Sequence, residues 1–161
     1  MLCDYWRKAF SAASIGKDVE TALPTNAKVL IIDDDPDILD STGLLLEKRG
    51  FKVLKASNPE DGLKELEESK PDLIVLDVMM PHGTEGFQML WSIRRHTDPA
   101  LRDTPIIMLT SIHDTTRMRF REGDADETGE YLPVQGFLDK PVDPDKLSQK
   151  IEAVLGKTVQ D

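Results

Sequence analysis

The chain has 161 residues, of which 39% are hydrophobic and 31% are charged, as is usual for a globular protein with one core. Its net charge of −10 argues against non-specific binding to nucleic acid or to an anionic membrane, because both repel acidic proteins. With Cys3 as its only cysteine, no signal peptide and no apolar stretch of membrane-spanning length, the chain is expected to be cytoplasmic.

Residues 1–27 are predicted to form an N-terminal extension, because their apolar side chains recur at helical spacing and suggest a short helix. This segment either packs as a helix on the domain that follows, forms a frayed leader, or makes a partner contact through Trp6 and Phe10. A homodimer is one form that such a contact could take.

From residue 28 onward, short apolar runs alternate with amphipathic segments. The strands are predicted at 28–33, 52–56, 72–77, 105–110 and 135–139, and the helices near 36–48, 59–68 and 85–96, from about 112, and at 144–155. Gly50 and Gly156 are expected to follow helix ends. This alternation predicts an α/β domain over 28–156, a doubly wound five-stranded parallel sheet of order 2-1-3-4-5 with helices on both faces. A tail, 157–161, follows it.

Polar residues stand where four of the predicted strands end. In a sheet of this order the winding reverses between strands 1 and 3, and ligands bind outside the carboxyl ends of the strands at that point. The residues expected to meet there are Asp33, Asp34, Asp77, Thr110 and Lys140.

Three neighbouring carboxylates repel one another, and a hard divalent cation removes the conflict. Mg²⁺ is the expected ion, because it prefers carboxylate, water and phosphate oxygens. Asp34 and Asp77 are the preferred side-chain ligands, together with the backbone carbonyl of Met79. Asp33 is expected to act through water or as a weaker ligand.

Asp77 is the natural nucleophile of such a site, because a carboxylate can accept a phosphoryl group as an acyl phosphate. Lys140 would place a positive charge beside a phosphate oxygen, and the hydroxyl of Thr110 would donate to another. Asp35 precedes Pro36 and is expected to cap the following helix.

Four ordered motifs, VLIIDDDPD, DLIVLDVMMP, PIIMLTS and FLDKPV, carry a family resemblance. Over roughly 28–156 the chain resembles the receiver domain of two-component response regulators, which has a flavodoxin-like fold, and in particular single-domain, chemotaxis-regulator-like members. The resemblance implies that Asp77 accepts phosphate from a sensor histidine kinase or a His-phosphotransfer protein, with Mg²⁺ at Asp33, Asp34 and Asp77. It implies no enzyme activity beyond self-phosphorylation from small donors and self-dephosphorylation.

The resemblance also implies a switch. Thr110 and Lys140 form the switch pair, Phe137 matches the position of a rotating aromatic ring, and the Lys140–Pro141 bond is expected to be cis. Phosphorylation would repack the face formed by the fourth predicted helix (from about 112), the fifth strand (135–139) and the fifth helix (144–155), and so control the binding of a downstream protein.

The segment between Thr110 and Lys140 is longer than receivers usually have, with an acidic insertion around 121–134. The insertion is either a solvated loop or an element that recognises a partner.

Two other functions remain open from the sequence. In a magnesium-dependent phosphatase of the haloacid dehalogenase type, Asp33 would be the nucleophile and Asp35 the acid/base. A receiver that switches by binding alone is the other alternative.

Overall fold

The apolar runs of the sequence form one five-stranded parallel sheet. The computed structural model describes residues 26–78, 85–111 and 134–160. The strands are β1 (Lys28–Ile32), β2 (Lys52–Ala56), β3 (Leu73–Asp77), β4 (Ile106–Ser111) and β5 (Gly136–Lys140). Their order, β2-β1-β3-β4-β5, confirms the predicted topology.

The central strands are mainly apolar because both faces of the sheet are covered. Every residue of β3 is buried, whereas most residues of the edge strands β2 and β5 are partly or fully exposed. The sheet register aligns Ile32 with Leu76 and Asp77 with Leu109. Asp33, which follows Ile32, therefore lies beside the end of β3.

The described part of the chain contains five helices, which flank the sheet. They are α1 (Pro36–Lys48), α2 (Pro59–Ser69), α3 (Glu85–Arg94), α4 (Pro99–Arg102) and α5 (Pro144–Gln160). One core cluster includes Leu66 of α2 and Met89 of α3, and the other includes Leu46 of α1 and Ile151 of α5. The two clusters occupy opposite faces of the sheet, which confirms the doubly wound arrangement.

Short polar and glycine signals set most of the helix boundaries. The side chains of Asp35 and Asn58 cap α1 and α2, and each is followed by a proline in the first turn. Gly50, just beyond α1, has a φ of 91°, a conformation that glycine adopts without steric cost. These predicted boundaries are confirmed.

The predicted end of the last helix is wrong. Gly156 lies inside α5, which continues to Gln160, so part of the predicted tail 157–161 is helical. Glycine ends a helix efficiently when it adopts a left-handed conformation, and Gly156 is not among the described glycines with positive φ. A glycine in a helix interior costs about 1 kcal/mol, which the packing of the preceding turns can offset.

The short helix α4 was not anticipated from the sequence. Its start carries the same signal as α2, because Asp98 caps it by accepting a hydrogen bond from the backbone N–H of Ala100, and Pro99 follows. The predicted N-terminal helix, the helix from about 112 and most of the insertion around 121–134 lie outside the described residues. Among the helices that the structure describes, none is both long and apolar enough to span a bilayer.

Candidate functional site

Three carboxylates gather where β1 and β3 end. One oxygen from each of Asp33, Asp34 and Asp77 lies within 4.8 Å of the other two. Asp33 and Asp77 are fully buried, whereas Asp34 is exposed to solvent. Buried carboxylates need a positive charge or hydrogen-bond donors to compensate for the lost hydration. The site thus has a dry inner side and one acid that faces water.

Lys140, at the end of β5, supplies a positive charge to two of these acids. Its Nζ lies 2.8 Å from Oδ2 of Asp33 and 3.1 Å from Oδ2 of Asp77. Burial by itself would lower the pKa of Lys140, but the hydrogen bonds and charges of Asp33 and Asp77 outweigh it, so the pKa is raised. Lys140 therefore stays protonated at neutral pH and holds two of the three acids together.

The remaining oxygen of Asp33 fixes the loop that leads into α1. Its Oδ1 accepts a hydrogen bond of 3.0 Å from the backbone N–H of Asp35. The carboxylate of Asp35 in turn accepts from the backbone N–H of Asp37, which confirms its predicted role as a helix cap. Asp33 is thus oriented from two directions, by a backbone donor and by Lys140.

The donor set suits a hard divalent cation. Its oxygens come from carboxylates, one acid is open to water, and the net charge of three acids and one lysine leaves room for positive charge. Mg²⁺ prefers such sites, usually with several waters and phosphate oxygens completing its shell. Met79, whose carbonyl was predicted as a further ligand, lies outside the described residues.

Thr110 is placed next to the site, but its hydroxyl is engaged elsewhere. Thr110 is 8% exposed, and its Oγ1 donates a hydrogen bond of 3.2 Å to Oδ1 of Asp139 on β5. Phe137 lies two residues before Asp139 and packs against the cluster that contains Met108. Because side chains alternate along a strand, Thr110, Asp139, Met108 and Phe137 share one face of the sheet. The Lys140–Pro141 bond is cis, as expected.

Two residues of this region were missed in the sequence. Asp139 was passed over, although its alternation with Phe137 placed it on the same face. Gly86, in the first turn of α3, is the other: an added Cβ would lie 2.3 Å from the backbone oxygen of Asp77 and 2.6 Å from that of Val78. A glycine inside a predicted helix was the available signal, since such glycines often mark close backbone approach.

Comparisons with known proteins agree with this geometry. The family model for the response regulator receiver domain matches residues 29–152. Protein PilH of Pseudomonas aeruginosa is 32% identical over 130 residues, which cover 80% of this chain and 98% of PilH. The transcriptional regulatory proteins YvrH of Bacillus subtilis and AfsQ1 of Streptomyces coelicolor are 36% and 41% identical, over 84% and 79% of this chain. The chain spans about half the length of these two relatives, 52% and 50%.

A solved structure extends the similarity to the fold. The chemotaxis response regulator CheY4 of Vibrio cholerae superposes with a TM-score of 0.64 at 29% identity, over 80% of this chain and 98% of CheY4.

Proposed function

This chain belongs to the family of response regulator receiver domains, and on that premise we propose that it carries a phosphoryl signal on Asp77. The phosphoryl group would come from a sensor histidine kinase or a His-phosphotransfer protein, and a downstream protein would read it. We further propose that this exchange takes place in the cytoplasm. The observation that carries the proposal is the contact of Lys140 with both Asp33 and Asp77 inside a three-carboxylate cluster.

Asp77 is the proposed nucleophile because it ends a fully buried strand and its carboxylate contacts Lys140 within the cluster. A carboxylate oxygen of Asp77 attacks the phosphorus of a phosphohistidine. The new P–O bond forms as the P–N bond breaks, and the imidazole of the donor leaves. Lys140, which already contacts Asp77, would accompany the transferred group as a counter-charge.

Asp33, Asp34 and Asp77 would hold a Mg²⁺ ion, together with the backbone carbonyl of Met79. When bound, the ion offsets negative charge on the transferred group and favours in-line geometry. Asp34 suits this role because its carboxylate faces solvent, from where hydrated ions arrive. Asp33 is oriented for it by the backbone N–H of Asp35.

The response is proposed to run through β4 and β5. The acyl phosphate adds charge and acceptor oxygens, toward which the hydroxyl of Thr110 can turn. Phe137, partly buried on the same face, would repack into the space that Thr110 leaves. The surface formed by the helix predicted from about 112, β5 and α5 would then change its affinity for a partner. A free-energy bias of about 1–3 kcal/mol is typical of such coupling.

A groove beside Lys140 is the proposed seat for the phosphodonor. It has a volume of about 220 Å³ and lies between α1 and the segment that joins β5 to α5. Its lining is mainly apolar and includes Ile38, Leu45, Pro141 and Val142. Because Lys140 also lines this groove, a protein seated there could bring its phosphohistidine close to Asp77.

Labelling with acetyl phosphate and Mg²⁺ tests the proposal. The wild-type protein should be labelled at Asp77, and Asp77→Asn should not be labelled at all. Asp35→Asn is the matched control: asparagine retains the helix cap, so this variant should be labelled like the wild type. The phosphatase alternative requires Asp33 as nucleophile and Asp35 as acid/base. Label on Asp33 would therefore overturn the proposal in favour of the phosphatase. So would hydrolysis of unrelated phosphoesters by the wild type that is lost in Asp35→Asn.

A further inference from the structure

We propose that Asp139 is a positioning residue that holds the hydroxyl of Thr110 away from the phosphoryl site and thereby sets how readily the domain switches. The inference rests on the proposed function, because it concerns the donor that Thr110 would offer to the phosphoryl group. It adds a residue, Asp139, whose side chain contacts none of the three clustered carboxylates in any described hydrogen bond or ion pair.

Thr110 and Asp139 are in direct hydrogen-bond contact. Thr110 and Asp139 are register partners in the parallel pairing of β4 with β5, and the Oγ1–Oδ1 distance is 3.2 Å. Thr110 is almost completely buried, whereas Asp139 is exposed. An exposed carboxylate thus accepts a hydrogen bond from a hydroxyl that has little access to water.

The bond to Asp139 competes with a bond from the same hydroxyl to a phosphoryl oxygen. A threonine hydroxyl carries one proton and can donate it to one strong acceptor at a time. While the proton points to Asp139, it is not available to an oxygen of a phosphoryl group on Asp77. Hydrogen bonds to an ionised acceptor are stronger than those between neutral groups, so release of Thr110 has a cost that a neutral residue at 139 would not impose.

The same bond joins the hydroxyl to the strand that carries Phe137. Phe137 and Asp139 lie on one face of β5, and Met108 and Thr110 face them from β4. When Thr110 leaves Asp139, this side-chain link between β4 and β5 is lost, two residues after Phe137 along β5. Asp139 therefore connects the movement of the hydroxyl to the part of the sheet that is proposed to repack.

Three variants separate the acceptor from the charge. Asp139→Val removes both and retains a good strand former, Asp139→Asn removes the charge but keeps a carbonyl acceptor, and Asp143→Asn is the control. Asp143 caps the start of α5, a role that asparagine also fills, so its substitution removes one nearby charge without touching Thr110. Circular dichroism and thermal unfolding verify that each variant is folded.

The measurement is the affinity for beryllofluoride, an acyl-phosphate mimic, in the presence of Mg²⁺. Asp139→Val should bind roughly three- to tenfold more tightly than the wild type, Asp139→Asn should lie between them, and Asp143→Asn should match the wild type. In a Thr110→Val background, the substitutions at 139 should have no effect. An equal gain in that background would show that Asp139 acts by charge at a distance, and would overturn the inference.

A second readout does not depend on phosphate chemistry. In the unliganded wild type, scalar couplings to the methyl group of Thr110 should report one χ1 rotamer, and in Asp139→Val they should report averaging. Averaging already present in the wild type would overturn the inference even if beryllofluoride binds normally. Absence of beryllofluoride binding by the wild type would instead overturn the proposed function, and with it the effect on affinity, whatever the couplings show.

Discussion

The ammonium group of Lys140 lies 2.8 Å from a carboxylate oxygen of Asp33, a residue 107 positions earlier in the chain. It is also 3.1 Å from the carboxylate of Asp77, so one cation serves two fully buried acids.

Replacement of Lys140 by alanine should lower the free energy of unfolding in Mg²⁺-free buffer by roughly 3 kcal/mol, because it leaves two buried acids without their counter-charge. Mg²⁺ should then stabilise the variant more than the wild type. The variant should bind Mg²⁺ about tenfold more tightly, because the ion is no longer repelled by the lysine ammonium group. Urea unfolding across a Mg²⁺ titration measures both effects. Lys146→Ala, at an exposed position on α5, is the control. Equal stabilisation of Lys140→Ala and wild type by Mg²⁺ would contradict the proposed metal centre.

Gly86 and Gly156 offer a matched pair for the packing of α3 against the site. Gly86→Ala should destabilise the fold by about 1–3 kcal/mol, because the new methyl group overlaps the backbone of Asp77 and Val78. Gly156→Ala should instead stabilise it by about 0.5–1 kcal/mol, because the added Cβ meets nothing within 4 Å and alanine favours a helix. Thermal or urea unfolding measures both. Unchanged or increased stability of Gly86→Ala would show that α3 does not approach β3 as closely as described.

Asp72 predicts a pH dependence at the opposite end of the sheet. Its carboxylate accepts a hydrogen bond of 2.8 Å from the backbone N–H of Lys28. Burial raises the pKa of Asp72 above 3.8, and the hydrogen bond and charge of Lys28 only partly oppose the rise. Because the folded-state pKa is the higher one, the stabilisation from this group is complete below pH 3.8 and is lost as the pH rises through the folded-state value.

An asparagine at position 72 keeps an acceptor for Lys28 and does not titrate. Asp72→Asn should therefore gain stability relative to the wild type as the pH rises from about 4 to 7, because only the wild type loses its contribution there. Urea unfolding at several pH values gives the difference, and Glu152→Gln on the exposed side of α5 controls for the loss of one charge. A difference that stays constant with pH would show that Asp72 has the same pKa in the folded and unfolded states.

The groove beside Lys140 predicts a separation of two phosphate sources. Ser41 lies on α1, lines the groove and is exposed. Ser41→Arg should slow phosphotransfer from a protein donor by about tenfold or more, because a bulky charge enters an apolar contact surface. Labelling by acetyl phosphate should not change, because a small donor needs no such surface.

Leu44→Arg supplies the control for this experiment. It adds the same charge to the same helix at an exposed position that does not line the groove. Transfer rates from the protein donor are compared among the three proteins. Equal rates for Ser41→Arg and the wild type would move the docking site elsewhere.

Local sequence patterns were sufficient to predict much of the fold. The five apolar runs, the caps at Asp35 and Asn58, and the turn at Gly50 were all confirmed. Each depends on backbone preferences or on burial that neighbouring residues already define. The predicted helix end at Gly156 was wrong because a local preference worth about 1 kcal/mol cannot fix a boundary that packing decides.

The structure brings together the acids and the lysine that the sequence identified at the ends of strands, but the hydroxyl of Thr110 bonds to Asp139. The sequence predicted that all of these groups meet, because the strands are parallel. It could not tell which acceptor the hydroxyl of Thr110 would choose, because that choice depends on the register of β4 against β5. Nor could it show that Gly86 gives α3 room against the carbonyl of Asp77, because this is a contact between backbones. The order of apolar and polar residues fixes which strand ends carry the chemistry, since it reflects burial along the chain. Distances of about 3 Å between side chains of separate strands are decided only when the strands align.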